Sequence, residues 1–512
     1  MANLLSSLMS SASALNAYQQ ALAVVQNNVA NASTPGYAKE TLPLEAMPLD
    51  LALGSSGGVR AGTVTSARDE YAEQAVRRQT VGLGAAQQNV NSLTAVQSQF
   101  DVTGTSGIAT ALNNLFQTFS AWGQAPTDAT VRQNVIDQAT AVASSFQQAA
   151  AGLASVAQDT EGQLQQTVNQ VNGLVGQLQN YNHAILQGDR NDPNLDAQIN
   201  ATLEQLSQYA DITVTQQSDG SVTVLMNGET PLLVGDQTYA LSYALQGPAS
   251  TDPYPGAPPS AHILASDGRD VTSEITTGQL GALLNVHNQV LPSYLGDATH
   301  AGDLNTMAQQ FADRVNQLLT TGYVTDQSDG SPGSLPQSGV PLFQYATTTA
   351  TASDGTVSTV PDSTRVAQSL TVNPNITPDQ LAAITGTPTS SDTQPVTLTQ
   401  EVSNGVPLAL SNLAKPTDPQ DMVNGITSFS GFYGEMAARV GSALNDATSQ
   451  LQVQQSTVAQ AQNLRQQISG VSLDEEAMVM IQFQRAYEAT SRLVTVLDQL
   501  TQDTLNILGA TA

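Results

Sequence analysis

Residues 3–37 read NLLSSLMSSASALNAYQQALAVVQNNVANASTPGY, and their spacing decides how the chain is built. Apolar positions recur in a 4-3 rhythm at Leu4, Leu8, Leu15, Tyr18, Leu22, Val25 and Val29, with Ser11 filling one step. This is the heptad signature of a helix that buries a seam against other helices. No charged side chain precedes Lys39. A helix is expected over 3–33, stopping before Thr34-Pro35-Gly36-Tyr37. Pro35 disfavours a helical Thr34, and Pro-Gly suits the two central positions of a type II turn.

The other extremity repeats the rhythm at Val479, Phe483, Ala486, Thr490, Leu493, Leu497, Leu500, Thr504 and Ile507. Ahead of it, Ser472-Leu473-Asp474-Glu475 is a capping box. Ser472 is expected to cap the last helix, with Asp474, Glu475 and Glu476 at the positive end of its dipole. Seams at both ends of a long middle suggest a subunit that joins a larger body through its termini.

The middle alternates in period. Helical spacing runs from about Ser66 to Gln187, with breaks expected at Gly104–Gly107 and Pro126, and Trp122 as a packed core residue. After a helix near 195–209 the period drops to two. Ile212, Val214, Ser218-Asp219-Gly220, Val222 and Val224 read as a hairpin, and Asn227-Gly228 as a second turn. A Pro-rich link follows at Gly247–Ser260, helix returns at 303–321, and 421–468 is helical again. Residues 38–66 read as extended or loop.

The expected fold is multidomain α+β. Residues 1–37 with 472–512 form a terminal coiled coil. Residues 38–209, 276–323 and 421–471 form a mainly helical body. Residues 210–275 are a β-rich insertion, and 324–420, rich in Thr, Ser, Pro and Gly, a β-rich outer insertion.

Composition narrows the function. Only 11% of residues are charged, and 43 acids against 15 bases give a net charge of −28. This argues against nucleic acid, which is held through cations on phosphate, and against anionic membrane surfaces. With no cysteine, there is no disulfide, thiol nucleophile or Cys-ligated metal. The N-terminus lacks the cationic region of a secretory signal, and no apolar run approaches a membrane span, so export would use a route without a cleaved signal.

Catalytic signatures fail on inspection. Both lysines follow alanine, so there is no P-loop Gly-Lys. His183, His262, His287 and His300 are followed by Ala, Ile, Asn and Ala, not the Glu of a zinc-protease helix. The Asp-Gly sites at 219–220 and 329–330 lack the spaced carboxylates of a calcium loop. No catalytic, cofactor-binding or metal-ligating residues are expected.

Two motifs carry a resemblance. Asn28-Val29-Ala30-Asn31-Ala32-Ser33-Thr34-Pro35-Gly36-Tyr37 resembles the N-terminal motif of the bacterial flagellar rod, hook and hook-associated axial proteins. Ser469 through Ala477, then Ile481-Gln482-Phe483-Gln484-Arg485-Ala486-Tyr487, is similar to the hook–filament junction members of that family. Interior matches agree: Leu206–Tyr209, Gly278–Leu284 with Leu291-Pro292, Ala308–Asn316 with Gly322-Tyr323, and Val372-Asn373-Pro374. One departure is Asp196-Ala197-Gln198-Ile199-Asn200, where the family usually carries a more charged run, which puts any carry-over of surface ion pairs in doubt.

The resemblance implies a structural, non-enzymatic subunit outside the cell, at the junction of hook and filament. Both terminal helices would form a coiled coil lining an axial tube, ordering on polymerisation. The implied partners are further copies of itself, the hook protein, a second hook-associated junction protein, and a cytosolic export chaperone at Val479, Phe483, Tyr487, Leu493, Leu497 and Leu500. Asn28, Asn31, Pro35, Gly36 and Tyr37 would end the helix and contact neighbouring subunits. The uncharged outer faces, including Gln19, Gln20 and Asn27, would be either a solvated polar face or a neutral channel wall. The alternatives are another axial protein (hook, rod or flagellin-like) or a secreted adhesin or filament protein with an embedded enzyme.

Overall fold

The structure, a computed structural model, describes residues 2–50, 55–101, 106–188, 192–246, 257–325, 335–351, 356–389 and 396–509. Its helices are α1 (Ala2–Asn31), α2 (Glu70–Gln97), α3 (Gly107–Gln124), α4 (Ala129–Gln187), α5 (Pro193–Tyr209), α6 (Gly278–Asn285), α7 (Leu291–Leu295), α8 (Asp303–Thr320), α9 (Val366–Ser369), α10 (Gly405–Asn412), α11 (Phe429–Ser469) and α12 (Leu473–Gly509). The strands used below are β1 (Glu40–Thr41), β2 (Leu44–Asp50), β3 (Ser55–Ala61), β4 (Thr65–Ser66), β5 (Ile212–Gln216), β6 (Val222–Met226), β7 (Thr230–Val234) and β8 (Gln237–Thr238). The fold is multidomain α+β, as the periodicities require. The Pro-rich link falls largely outside the described residues.

Two compact units emerge, one of 1–84, 169–241 and 452–512, the other of 85–168 and 242–451. This division differs from the segmentation drawn from the sequence. The insertion expected over 210–275 is shared between the units, with the boundary after Leu241.

In the first unit α1 packs against α12 and against β3. Residues 44–50 and 55–61, expected to be loop or extended, pair as the antiparallel strands β2 and β3. Ser10 Oγ donates to the Gly57 carbonyl at 2.6 Å and Ser13 Oγ to that of Val59 at 3.2 Å, fixing the hairpin on the helix. Strands β5 to β8 form an antiparallel meander in sequence order. Asn227 and Gly228 both take positive φ, 52° and 78°, the type I′ geometry of a tight hairpin. Buried Asn182 on α4 accepts from the Val222 N–H at 2.9 Å and donates to its carbonyl at 2.8 Å, seating the meander.

The second unit is organised around aromatic packing. Phe311 of α8 meets Phe116, Phe343 and Phe429 at centroid distances of 6.3, 5.6 and 5.2 Å. Trp122 is fully buried, its Nε1–H donating to the Pro126 carbonyl at 3.2 Å. Leu342, Phe343, Val366, Leu381, Val406 and Leu410 belong to this same core. The outer insertion expected over 324–420 is thus not wholly separate: these six side chains sit in the core with α3, α4, α8 and α11, while Leu335, Val357 and Val402 are exposed.

Candidate assembly site

α1 ends where the sequence places its stop. Thr34 N–H donates to the Asn31 carbonyl at 2.9 Å, Tyr37 N–H donates to the Thr34 carbonyl at 3.2 Å, and Gly36 takes φ +74°, as a type II turn demands. Asn31 accepts from Thr34 Oγ1 at 3.1 Å through its side chain, and Pro35 is exposed. The turn brings Tyr37–Glu40 back alongside Asn28.

Asn28 is 1% exposed and uses its whole hydrogen-bonding capacity. Its Oδ1 accepts from the Tyr37 hydroxyl and the Glu40 N–H, both at 2.9 Å. Its Nδ2 donates to the Glu40 carbonyl at 2.8 Å and to Glu476 Oε2 at 3.0 Å. Glu476 lies in the first turn of α12, so this amide ties the N-terminal motif to the C-terminal one. Lys39 completes the clasp. Its Nζ reaches Glu475 at 3.0 Å and Glu476 at 3.1 Å, and its N–H donates to the Ser469 carbonyl at 2.8 Å.

The charges follow from burial. Burial opposes the Lys39 ammonium, but hydrogen bonds to and charges on Glu475 and Glu476 outweigh it and leave its pKa above the usual value. Burial, then the charges of Glu40 and Glu476, push the Tyr37 phenol up. Burial, then Asp196 and Asp192, raise the Glu40 carboxyl. A carboxylate as buried as Glu476 is tolerable only when paired and hydrogen-bonded, and such pairs are best attested as devices that fix register.

The turn is seated by a second set of ions. Arg68 donates to the Gly36 carbonyl at 2.7 Å, to Asp196 at 2.7 Å and to Glu73 at 2.6 Å. Arg465 of α11 reaches Glu73 at 3.1 Å and Glu204 of α5 at 2.7 Å. Where the sequence departs from the family pattern near Asp196, this chain thus forms an Arg68–Asp196 ion pair. The turn, with Glu73, Glu204 and Arg465, lines an open cleft of about 620 Å³. Among the described residues, no three His, Asp or Glu side chains are placed to hold a metal ion, and no helix is long and apolar enough to cross a membrane.

The seam residues are placed unevenly. On α1, Val25 is buried, Leu4, Leu8, Leu15, Tyr18 and Leu22 are half-buried, and Val29 is exposed. The best-buried line is of small residues, Ser11, Ala17 and Ala21, because α1 is covered by the hairpin as well as by α12. On α12, Val479, Phe483, Ala486, Tyr487, Thr490, Leu497 and Thr504 are half-buried. Tyr18 meets Phe483 at 6.4 Å, and Gln19 donates to the Tyr487 hydroxyl at 3.1 Å. Leu493 and Leu500 are 50% and 47% exposed, with Val494 and Thr501 turned inward instead. Ile507 lies on α12 with its side chain outside the described residues.

Ser472 Oγ accepts from the Glu475 N–H at 3.4 Å, one arm of the capping box. The Glu475 carboxylate, expected to serve the helix end, is held by Lys39. Sequence reasoning missed Lys39 and Glu476 as partners. The available signal was a lone cation, the first charge of the chain, matched by an acid pair at the mouth of the last helix.

Asn28 and Tyr37 on one side of the clasp, and Glu475 and Glu476 on the other, fall within rod-type family models. Residues 8–37 match the model described as flagella basal body rod protein, and 460–507 that of the flagellar basal body rod FlgEFG protein C-terminal. The ends are thus similar to those of flagellar axial proteins. Residues 93–334 match the flagellar hook-associated protein FlgK helical domain. Flagellar hook-associated protein 1 of Bacillus subtilis is 26% identical over 97% of this chain and 97% of its own length. That of Escherichia coli is 24% identical over 98% of this chain and 100% of its own. The solved flagellar hook junction protein FlgK from Burkholderia pseudomallei shares the fold, with a TM-score of 0.60 at 17% identity over 78% of this chain and 100% of that one. Over nearly its whole length the chain is thus similar to flagellar hook-associated protein 1.

Proposed function

We propose that this chain is a structural subunit of the hook–filament junction of the bacterial flagellum, polymerised through its terminal helices. The observation that carries the reading is the clasp, in which Asn28 and Lys39 lock the two family motifs into one unit. It holds α1 on one side of α12 and leaves Leu493 and Leu500 in solvent. Exposed apolar side chains aligned along a helix call for a partner. The partners in this reading are further copies of the chain, the hook protein and a second hook-associated junction protein.

Export follows the flagellar type III pathway, with a cytosolic chaperone on Val479, Phe483, Tyr487, Leu493, Leu497 and Leu500. Because α1 already half-covers Phe483 and Leu497, the chaperone takes α12 before the two helices pair. Pull-down should survive removal of residues 1–37 and fail on removal of 475–512; the reverse sinks the chaperone assignment.

Deletion followed by electron microscopy tests the function itself. The expected result is hooks without filaments and flagellin released unpolymerised. Loss of hooks as well would favour a rod or hook protein.

A further inference from the structure

His287, in the second unit, is 1% exposed, and its ring is wholly covered. It sits in a π-helical turn, Val286–Val290, between α6 and α7. Such turns insert an extra residue into a helix and are frequent at functional sites. Beside this turn lies strand β10 (Ser260–Leu264), paired antiparallel with β9 (Ser242–Gln246). Asn288 holds the strand. Its Oδ1 accepts from the Ala261 N–H at 2.9 Å, and its Nδ2 donates to the Ala261 carbonyl at 2.8 Å.

These bonds fix the protons on the ring. The two backbone groups of Ala261 allow the Asn288 amide one orientation only. His287 Nδ1 lies 2.9 Å from the same Oδ1, so Nδ1 carries a hydrogen and donates it. A neutral ring would then have its lone pair on Nε2. Yet Nε2 faces Glu161 Oε1 of α4 at 3.2 Å. A lone pair and a carboxylate oxygen meet at that distance only with a proton between them.

We infer that His287 and Glu161 share one bound proton as a buried imidazolium–carboxylate pair, and that this proton is a pH-sensitive latch on the β9–β10 hairpin. The proton sits on the ring, because an imidazole is more basic than a carboxylate by about two pH units. As pH rises the proton leaves, and the Nε2 lone pair repels the carboxylate. The hairpin is held firmly in acid and loosens as pH rises. The carboxylate has a second partner to turn to. Tyr243 of β9 has a buried hydroxyl with no hydrogen-bond partner. Burial, then the charge of Glu161, push its phenol up, so it remains an O–H donor. Glu161 is half-buried and turns from His287 to Tyr243 when the proton goes. The other ionisable groups on these elements are engaged elsewhere. Asp159 of α4 is exposed, and Tyr294 of α7 packs on Phe100. His262 lies between buried Ala261 and Ile263 on the other face of β10, bonded to Asp270 at 2.6 Å. Gly278–Leu295 contains no Asp, Glu, Lys or Arg.

With only four histidines, carbon-13 histidine labelling of the full chain reads the ring directly. His183→Gln, His262→Gln and His300→Gln assign the His287 signal by elimination. At about pH 6 the ring should be protonated on both nitrogens. Glu161→Gln puts an amide N–H where the carboxylate was, and that N–H can donate to Nε2 of a neutral ring. In this variant the ring should be the neutral Nδ1–H form at the same pH. Hydrogen exchange over residues 260–264, corrected for the intrinsic rate, should lose about tenfold in protection between about pH 6 and about pH 9 in the parent. In Glu161→Gln it should change by no more than about twofold. Tyr243→Phe removes the second partner and should move the loss up by about one pH unit, the equivalent of one modest hydrogen bond.

A neutral ring in the parent at that pH, or a loss of protection that Glu161→Gln keeps, would overturn the latch. A loss that Tyr243→Phe leaves in place would overturn the second position of the carboxylate. None of these results bears on the proposed function, which stands or falls separately.

Discussion

Asn28 Nδ2 donates to Glu476 Oε2 at 3.0 Å, a bond between residues 448 positions apart. Because both donors and both acceptor sites of this amide are in use, its acid isostere cannot replace it. Asn28→Asp turns the donor into a carboxylate facing a buried carboxylate. A loss of roughly 3–5 kcal/mol in the stability of the paired ends is expected, the cost of an uncompensated buried charge. Hydrogen exchange at the first turns of α12 should lose protection at neutral pH and regain part of it in acid, where one of the two carboxyls takes a proton.

Lys39 reaches Glu475 and Glu476 at nearly equal distance, but the two acids are not equivalent. Their side chains are 57% and 2% exposed. Glu475→Ala should cost about 0–1 kcal/mol, as exposed pairs do. Glu476→Ala strips Asn28 and Lys39 of a buried acceptor and should cost about 3 kcal/mol. Denaturant unfolding of the two variants, combined in a cycle with Lys39→Met, measures the difference. Equal losses would show that burial does not set the strength of the clasp.

Gly36 serves both the turn and the packing. Its φ is +74°, and an added Cβ would collide with the Ala197 carbonyl oxygen and stand 2.9 Å from the Ala201 N atom. Gly235 offers a control, with φ +61° and open space around it. Gly235→Ala should cost only the left-handed backbone term, about 1–2 kcal/mol. Gly36→Ala adds steric overlap and should exceed it by about 2 kcal/mol. Thermal unfolding of both variants checks the ordering.

Much of this was legible because it is local. The stop of α1, the hairpin at Asp219-Gly220, the burial of Trp122 and the start of α12 each depend on residues within a few positions of one another. The rest was not. Periodicity marks a stripe on α12 but not how much of it one partner covers, so Leu493 and Leu500 could not be told from Leu497. The acceptor for Asn28 lies at the far end of the chain, and nothing local names it. Residues 324–420 look like outer loops by their Thr, Ser, Pro and Gly content. Some of their apolar side chains, such as Phe343 and Leu410, nonetheless settle in the core of the second unit. Residues 55–61 read as extended or loop from Gly and Ser, and they pair as a strand because β2 supplies the ladder.

Glu40 makes a pH prediction of the less common sign. Burial, then Asp196 and Asp192, raise its pKa in the folded chain. A carboxyl that binds its proton more tightly when folded weakens the fold as pH rises through its pKa, and the penalty is fully present at neutral pH. Its contacts with Asn28 use only main-chain atoms, so Glu40→Gln keeps them. The variant should melt above the parent at neutral pH, and the gap should close as pH falls below the usual carboxylate range. A gap that widens in acid would reverse the sign assigned to Glu40.

Leu493 and Leu500 separate the stability of the free chain from that of the polymer. Each is about half exposed in the single chain, so an aspartate there should change monomer stability by no more than about 0.5 kcal/mol, as at other surface positions. Leu497 points toward α1 and is partly covered; Leu497→Asp should cost about 1–3 kcal/mol by burying a carboxylate beside apolar surface. Assembly should respond differently, with Leu493→Asp and Leu500→Asp abolishing it although their monomers melt normally. Sedimentation reads the polymer and calorimetry the monomer. If Leu493→Asp melts as early as Leu497→Asp, the leucine faces α1 in solution and the exposed stripe belongs to a different side of α12. If it melts normally and still assembles, the stripe is not where copies meet.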